Sequence, residues 1–117
     1  MATIHTLKVP DVEGHAIHLL EAKGIGFSEK WGNYLYTEMG TGDFTKETIS
    51  GQGYLHATFP DGSTYTVKAE GKGGKGTWTF IKGTGKLEGI QGGGPYKTNS
   101  LAPDRWYTDW EGEYTLP

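Results

Sequence analysis

The chain has 117 residues, of which 20 are glycine and none is cysteine, and its formal net charge at pH 7 is -3. This length suffices for one core, so we expect residues 1–117 to form a single domain. The acidic balance argues against nucleic acid and anionic membranes as partners, and the lack of cysteine excludes disulfides and thiolate metal sites. High glycine content with 13% aromatic residues is typical of strands joined by tight turns.

The beginning of the chain lacks the marks of a targeting segment. It has no basic stretch followed by an apolar run, and the sequence contains no apolar run long enough to cross a bilayer. We therefore expect a cytoplasmic protein without a membrane partner.

The first third of the chain contains two clear strand patterns and one ambiguous stretch. Residues 3–9 alternate as a short strand that Pro10 ends. Residues 15–23 fit a strand, but the flanking glycines could equally bound a helix, so the pattern leaves both open. Residues 33–39 alternate as a strand, which we expect to end at the glycines of residues 40–42.

A hairpin is predicted over residues 48–70. Its turn contains Pro60, which presets φ, and Gly62, which tolerates positive φ. Six apolar residues share one face on the two sides of this turn: Leu55, Ala57, Phe59, Tyr65, Val67 and Ala69. They can meet across the strand pair as a single apolar face.

The glycine-rich residues 71–76 are predicted to be a flexible connection. In the segment that follows, Trp78 and Phe80 alternate with threonines, which predicts a strand with two large rings on its buried face. The pattern then passes through a glycine-dense turn into a second strand.

Three more segments complete the chain. Residues 91–98 continue the glycine-rich strand, residues 99–104 are predicted to be a loop, and residues 105–116 alternate as one long final strand. The total is roughly seven or eight strands at short spacing, which is typical of an all-β barrel or sandwich.

The stretch 76–96, GTWTFIKGTGKLEGIQGGGPY, and the chain end DWEGEYTLP resemble the allene oxide cyclase-like β-barrel superfamily. That superfamily includes plant allene oxide cyclases, dirigent proteins, bacterial spirotetronate cyclases and many small uncharacterised bacterial proteins, and the likeness is greatest to the last group. It covers about half the chain, from Phe59 onward. The turn at residues 83–85 and the step from Gly89 to Ile90 carry it most specifically.

The resemblance implies a closed antiparallel barrel of roughly eight strands whose cavity holds an apolar small molecule, often within a homo-oligomer. It also favours a strand at residues 15–23. Named enzymes of the superfamily steer cyclisation or coupling of a flexible substrate largely by shape. The glycines between residues 83 and 94 agree with a barrel, because glycines inside strands permit sharp bends.

Two apparent motifs fail on their context. Residues 71–76 match a dinucleotide-binding G-x-G-x-x-G string, but that fingerprint must open a helix and here it precedes a strand. Glu13, His15 and His18 suggest a metal site, yet on a strand the two histidines point to opposite faces. We therefore predict no nucleotide, no metal and no cofactor.

Acid–base chemistry needs a titratable group inside a largely apolar cavity. The candidate catalytic residues are His18, Glu38 and His56. Alternation places Glu38 and His56 opposite their apolar neighbours, which favours the solvent face for both, as it does for Asp109 and Glu111. His18 shares its face with three apolar residues if the stretch is extended, and a hydrogen-bonded core histidine is the alternative.

A set of large rings falls on the faces assigned inward and exceeds what a filled core of this size requires. The candidate substrate-binding residues are Tyr65, Trp78, Phe80, Trp106 and Trp110. An ordinary packed aromatic core is the alternative, because side chains can fill a small barrel completely.

The sequence thus predicts a cofactor-independent isomerase or cyclase that acts on an apolar or aromatic small molecule in the barrel cavity. A non-catalytic carrier or sensor and a structural oligomer with a filled barrel are the alternatives. A cavity of at least ~300 Å³ with a buried histidine or carboxylate favours the enzyme, and one without an ionisable group favours the carrier.

Overall fold

The computed structural model describes residues 2–46, 48–102 and 105–117. The side chains of residues 2, 100–102, 105 and 106 lie outside this description, and with them the side chain of Trp106. The elements are nine strands and one short 3-10 helix: β1 (Ala2–Lys8), β2 (Ala16–Ser28), β3 (Gly32–Phe44), β4 (Ile49–Thr58), β5 (Thr64–Lys72), β6 (Lys75–Gly83), the 3-10 helix (Gly85–Leu87), β7 (Gln91–Ala102), β8 (Arg105–Trp110) and β9 (Glu113–Thr115).

All nine strands belong to one antiparallel sheet. Strands β1 to β8 lie side by side in chain order, and the short β9 pairs with β7. The stretch that fitted either helix or strand is extended, and β2 pairs with β3 along its whole length, from Ala16 opposite Phe44 to Ser28 opposite Gly32. The prediction of an all-β antiparallel fold is confirmed.

The prediction of a closed barrel is wrong, because the sheet is an open, curled half-barrel. Among the described strands, β1 and β8 form the two edges and do not pair with each other. β2 has 13 residues and β1 has 7, so β1 covers β2 only from Ala16 to Ala22. From Gly24 to Ser28, β2 pairs with no described strand on the side that β1 occupies, and the sheet is open along this gap.

Glycines interrupt the strands less than we predicted. β3 continues through Gly40 and Gly42, which were expected to end it, and stops at Phe44. Residues 71–76 are a tight hairpin and not a flexible connection. Gly73 and Gly74, with φ of 67° and 79°, form the turn between β5 and β6, since such two-residue turns need positive φ at both positions.

The C-terminal part also departs from the predicted pattern. β7 runs to Ala102, so part of the predicted loop is strand, whereas residues 103 and 104 lie outside the described residues. The long final strand is divided into β8 and β9. At the division the indole Nε1 of Trp78 donates hydrogen bonds to the carbonyl oxygens of Glu111, at 2.9 Å, and Pro95, at 3.2 Å.

Four glycines stand in register across strands β3 to β6, near the ends of these strands: Gly42 on β3, Gly51 on β4, Gly71 on β5 and Gly76 on β6. We call them the glycine row. A Cβ atom at Gly51 would lie 2.8 Å from the carbonyl oxygen of Thr41 on the neighbouring strand. At Gly76 it would lie 2.7 Å from both the Gly71 Cα and the Tyr96 ring. The backbones thus approach too closely here for side chains.

The buried core lies on the concave face of the curled sheet, which we call the inner face. It consists of Leu55, Ala57, Phe59, Val67, Leu87 and Ile90. Leu87, in the 3-10 helix, is fully buried, and the backbone N–H of Lys86 donates to the Ser63 hydroxyl at 3.1 Å. The 3-10 helix therefore closes one end of the inner face and leaves the space beside the core open.

Candidate functional site

Strand β3 contributes polar and aromatic side chains to the inner face. Tyr34, Tyr36 and Glu38 lie on that face, whereas Leu35 and Met39 are 64% and 43% exposed on the outer face. Glu38 therefore does not lie on the solvent face that alternation favoured. The register with β2 places Ala22 opposite Glu38, and because Ala22 is buried, this pairing sets the orientation of the whole strand.

Two tyrosine rings of β3 lie against glycines of β2. A Cβ atom at Gly24 would be 2.5 Å from the phenol oxygen of Tyr36, and one at Gly26 would overlap the ring of Tyr34. Glycine at these two positions leaves room for the rings beside the backbone. The wall of the site beside β2 is thus made of tyrosine faces.

A chain of edge-to-face ring contacts forms the opposite wall. Tyr65 meets Phe80 at 5.1 Å between ring centroids, Phe80 meets Trp78 at 4.9 Å, and Trp78 meets Trp110 at 6.0 Å. A bulge in the pairing of β5 with β6 turns the side chain of Ile81 outward, where it is 54% exposed. Four of the five predicted substrate-binding residues therefore come together, and the fifth, Trp106, is not described.

The two walls enclose a cleft of about 710 Å³. It lies between the β2–β3 hairpin on one side and β8 and β9 on the other, along the gap that leaves the barrel open. Almost half of its lining residues are aromatic. At one end the rings of Trp31 and Tyr114 meet across the gap, with centroids 4.8 Å apart. We call this space the aromatic cleft.

Glu38 is the most buried carboxyl group among the residues that line this cleft. It stands between Ala22 on β2 and Leu55 on β4, and burial raises the pKa of its carboxyl group. None of the ion pairs between described residues includes it. The pKa values of the Tyr36 and Tyr96 phenols are raised mainly by burial and then by the charge of Glu38.

The phenols of Tyr36 and Tyr65 remain neutral over the physiological range, because burial raises the pKa of both. Burial raises the pKa of Tyr65 well above its ordinary value, and the neighbouring Tyr34 raises it further through its charge and a hydrogen bond. Neutral phenols can donate hydrogen bonds to a bound molecule. The cleft thus combines apolar ring surface with several hydroxyl donors and one buried carboxyl group.

The structure does not bring the three catalytic candidates together. His18 lies on the inner face of β2, but its ring stacks on Phe44 with centroids 3.9 Å apart. It is four positions along β2 from Ala22, the residue opposite Glu38, which is roughly 13 Å along a strand. His56 is exposed, and its Nδ1 lies 2.9 Å from the Thr66 hydroxyl. Of the three, only Glu38 lines the aromatic cleft.

Several lining residues were absent from the predicted site, namely Trp31, Tyr34, Tyr36, Tyr107 and Tyr114. The signal that could have revealed two of them is the pair of glycines on β2, since alternate glycines need large partners on the next strand to cover them. Trp31 and Tyr114 come together only because the sheet curls, and no local pattern contains that information.

A second depression of about 920 Å³ lies at the other end of the sheet. Leu7, Ile17 and Leu19 line part of it, and these side chains are 42% to 66% exposed. Of its ionisable residues, only His18 is partly buried, and its ring is stacked on Phe44. The aromatic cleft is therefore the better candidate site.

His15, just before β2, lies between two carboxylates. Its Nδ1 is 2.6 Å from Asp11 Oδ1, and its Nε2 is 2.6 Å from Asp43 Oδ1. The contact with Asp11, followed by that with Asp43, raises the pKa of His15, and the contact with His15 lowers the pKa of Asp11. This cluster ties the β1–β2 loop to β3. In the described part of the chain, no group of three or more such side chains is placed to hold a metal ion.

Within the described residues, none of the helical structure has the length and apolar character needed to cross a membrane. Comparison with models of protein families, with curated proteins and with solved structures finds no match to this chain. The fold and the aromatic cleft therefore have to be interpreted from their own geometry.

Proposed function

We propose that the aromatic cleft binds an apolar or aromatic small molecule and that the protein isomerises or cyclises this molecule without a metal or cofactor. The observation that carries the proposal is the position of Glu38, an ionisable carboxyl group inside a cleft lined largely by aromatic rings. A buried carboxylate in such a cavity is the feature that favours an enzyme over a carrier.

The size and lining of the cleft support binding of a small molecule. Its volume of about 710 Å³ falls in the usual range of ligand sites, which are roughly 300–1,000 Å³ and mostly apolar. Tyr65, Trp78 and Phe80, whose rings pack edge to face, contribute large aromatic surfaces to this lining.

The proposed catalysis depends on confinement and on one proton donor or acceptor. A flexible molecule held between the two aromatic walls is restricted to a few shapes, and this restriction lowers the entropic part of the barrier to ring closure or rearrangement. A carboxyl group with a raised pKa can give a proton to the ligand or remove one. The neutral phenols can donate hydrogen bonds to an oxygen of the ligand.

The proposal is tested first by finding what the protein retains. We expect native mass spectrometry of the freshly purified protein to show a bound small molecule of ligand size, and tryptophan fluorescence to change when it is added back. Trp78→Phe should reduce this fluorescence change more than Trp110→Phe, because Trp78 touches both neighbouring rings of the wall. A protein that retains and binds no apolar compound from a broad library would contradict the proposal.

A carrier without catalysis is the second candidate, and the open side of the cleft favours it. The gap beside β2 gives a ligand access without separation of any described strand pair, so confinement is weaker than in a closed barrel. Incubation of the identified ligand with the wild-type protein distinguishes the two functions. Conversion that Glu38→Gln abolishes supports the enzyme, and recovery of unchanged ligand supports the carrier.

Self-association in the cytoplasm is a further part of the proposal. Ile25 and Leu35 face each other across β2 and β3, and they are 75% and 64% exposed on the outer face. Exposed apolar side chains in contact with each other are typical of interaction surfaces. We expect light scattering to give a mass above that of one chain and Leu35→Ser to lower it; a monomeric wild type would contradict this part.

A further inference from the structure

We propose that the ligand of the aromatic cleft carries a positively charged nitrogen, either a protonated amine or a quaternary ammonium group, on its apolar or aromatic body. This inference rests on the proposed binding function and defines the chemical class of the ligand. It is carried by the charges that line the cleft, by the position of Glu38 and by the surrounding rings.

The lining of the cleft is acidic. Four carboxylates line it, Glu29, Glu38, Asp109 and Glu113, and the single described cation among the lining residues is Lys30. A cleft with one sign of charge and low-dielectric walls concentrates the field and attracts ligands of the opposite sign. An anionic ligand would approach against this field, so the lining selects for cations.

The position of Glu38 gives a second reason. A carboxylate loses its hydration on burial, and this cost is offset when a cation pairs with it. The ion pairs between described residues leave Glu38 out, and its strand neighbours Ala22 and Leu55 offer no charge. A ligand with an ammonium group would supply the missing partner, whereas a neutral ligand would bury Glu38 further without one.

The rings of the cleft give a third and independent reason. Aromatic faces attract ammonium groups, with Trp the strongest and Tyr next. Tyr36 stands two positions from Glu38 on the same face of β3, and both its pKa and that of Tyr96 are raised in part by the charge of Glu38. Tyr36 thus lies near the carboxyl group, in a cleft that Trp78 and Trp110 also line. A carboxylate in a cleft lined by tyrosine and tryptophan rings suits an organic ammonium group.

The test uses three probes of the same size that differ in charge: naphthylethylamine, which is protonated at neutral pH, naphthylethanol, which is neutral, and naphthylacetate, which is anionic. Their affinities for the full chain are measured by isothermal titration calorimetry at pH 7. We expect the amine to bind at least about ten-fold more tightly than the alcohol, and naphthylacetate to bind most weakly.

Glu38→Gln is the decisive variant, and Glu21→Gln is its matched control. Glu21 lies on the neighbouring strand β2, opposite Met39, but it is exposed on the outer face. We expect Glu38→Gln to reduce the preference for the amine over the alcohol to about three-fold or less while the alcohol still binds, which shows that the cleft is folded. Glu21→Gln should keep the wild-type preference.

The possible outcomes separate the two proposals. If the alcohol binds as tightly as the amine, or if Glu38→Gln keeps the preference, the ammonium inference is wrong and the binding function stands. If none of the three probes binds to the wild type, the proposed binding function is contradicted together with the inference. A preference for the amine that declines as acidification protonates Glu38, but not in Glu38→Gln, would support the inference.

Discussion

Strands β3 to β6 contribute to two regions of opposite character, the glycine row and the aromatic cleft. In the glycine row, β3 to β6 carry no side chains, and the backbones approach so closely that a Cβ atom would not fit at Gly51 or Gly76. A few residues along the same strands, in the aromatic cleft, Glu38, Leu55 and Phe80 project inward. In the glycine row the neighbouring strands lie too close together for side chains, whereas in the cleft large side chains cover the inner face of the same strands. The two regions therefore differ in the side-chain size that each position accepts.

The largest expected effect comes from placing a side chain in the glycine row. Gly76→Ala would bring a Cβ atom within 2.7 Å of the Gly71 Cα and the Tyr96 ring, and relief of this overlap must move backbone. We expect a loss of about 2–3 kcal/mol in the free energy of unfolding, as for overpacked cores, measured by urea denaturation. Thr77→Val, at the next and exposed position of β6, should change stability by no more than about 0.5 kcal/mol. Equal effects of the two substitutions would show that the close approach is not a constraint.

A smaller effect of opposite sign is expected in the aromatic cleft. Glu38→Gln removes a buried charge that has no described ion-pair partner, so it should raise the free energy of unfolding at pH 7 by about 1 kcal/mol, the order of cost of an unsatisfied buried group. The pKa of Glu38 is raised in the folded state, so the folded protein binds more protons than the unfolded chain and loses stability as pH rises between the two pKa values.

The difference in the free energy of unfolding between wild type and Glu38→Gln should accordingly become smaller as pH falls through the pKa of Glu38. Urea midpoints of both proteins between pH 4 and pH 8 measure this. A Glu38→Gln variant that is less stable than wild type at pH 7 would indicate that Glu38 stabilises the fold. Glu38 would then have a structural role, as the glycine row does, and the proposed difference between the two regions would be wrong for this residue.

The smallest effect is expected at His15, which lies in neither region. Its pKa is raised above the ordinary 6.5 by Asp11 and Asp43. The stabilisation of the fold by protonated His15 is therefore fully present below pH 6.5 and is lost as pH rises through the pKa of the folded state. At the acid end, the lowered pKa of Asp11 means that the contact is lost as pH falls through the folded value.

His15→Gln should therefore lower the urea midpoint slightly near pH 5.5 and hardly at all near pH 9. NMR titration of His15 gives its pKa directly, and a value at or below 6.5 would contradict the prediction. Ligand binding in the aromatic cleft should be the same in the variant and the wild type, because His15 does not line the cleft.

Sequence patterns predicted the parts of the fold that depend on local chemistry. The turn at residues 60–62 occurs where predicted, with Gly62 at a φ of 88°. Proline presets φ at the start of such a turn and glycine tolerates positive φ, so the two residues together indicate a turn. The inward faces of Tyr65, Trp78 and Phe80 also follow from alternation. These strands carry rings on one face and polar or exposed residues on the other, so only one orientation buries much apolar area.

The parts that depend on neighbouring strands could not be predicted in this way. Leu35 and Met39 are more apolar than Glu38, so the pattern of β3 alone favours the wrong face, and only the register with buried Ala22 corrects it. Gly40 and Gly42 look like strand ends in isolation, but Gly40 is a position of close backbone approach and Gly42 leaves room for the Phe44 ring. Closure of the barrel would need the two edge strands, β1 and β8, to pair with each other, and no local pattern contains information on such a distant pairing.

The order of the strands has a consequence for how the chain folds. Every strand from β1 to β8 pairs with its neighbour in sequence, and the one exception, β9 with β7, joins segments that are close in the chain. Each pairing therefore closes a short loop, and the entropy lost before each contact forms is small. Pairings between strands that follow one another in the chain span shorter sequence separations than the pairings of a β-sandwich, so we expect this sheet to form hairpin by hairpin and faster than β-sandwiches of the same length.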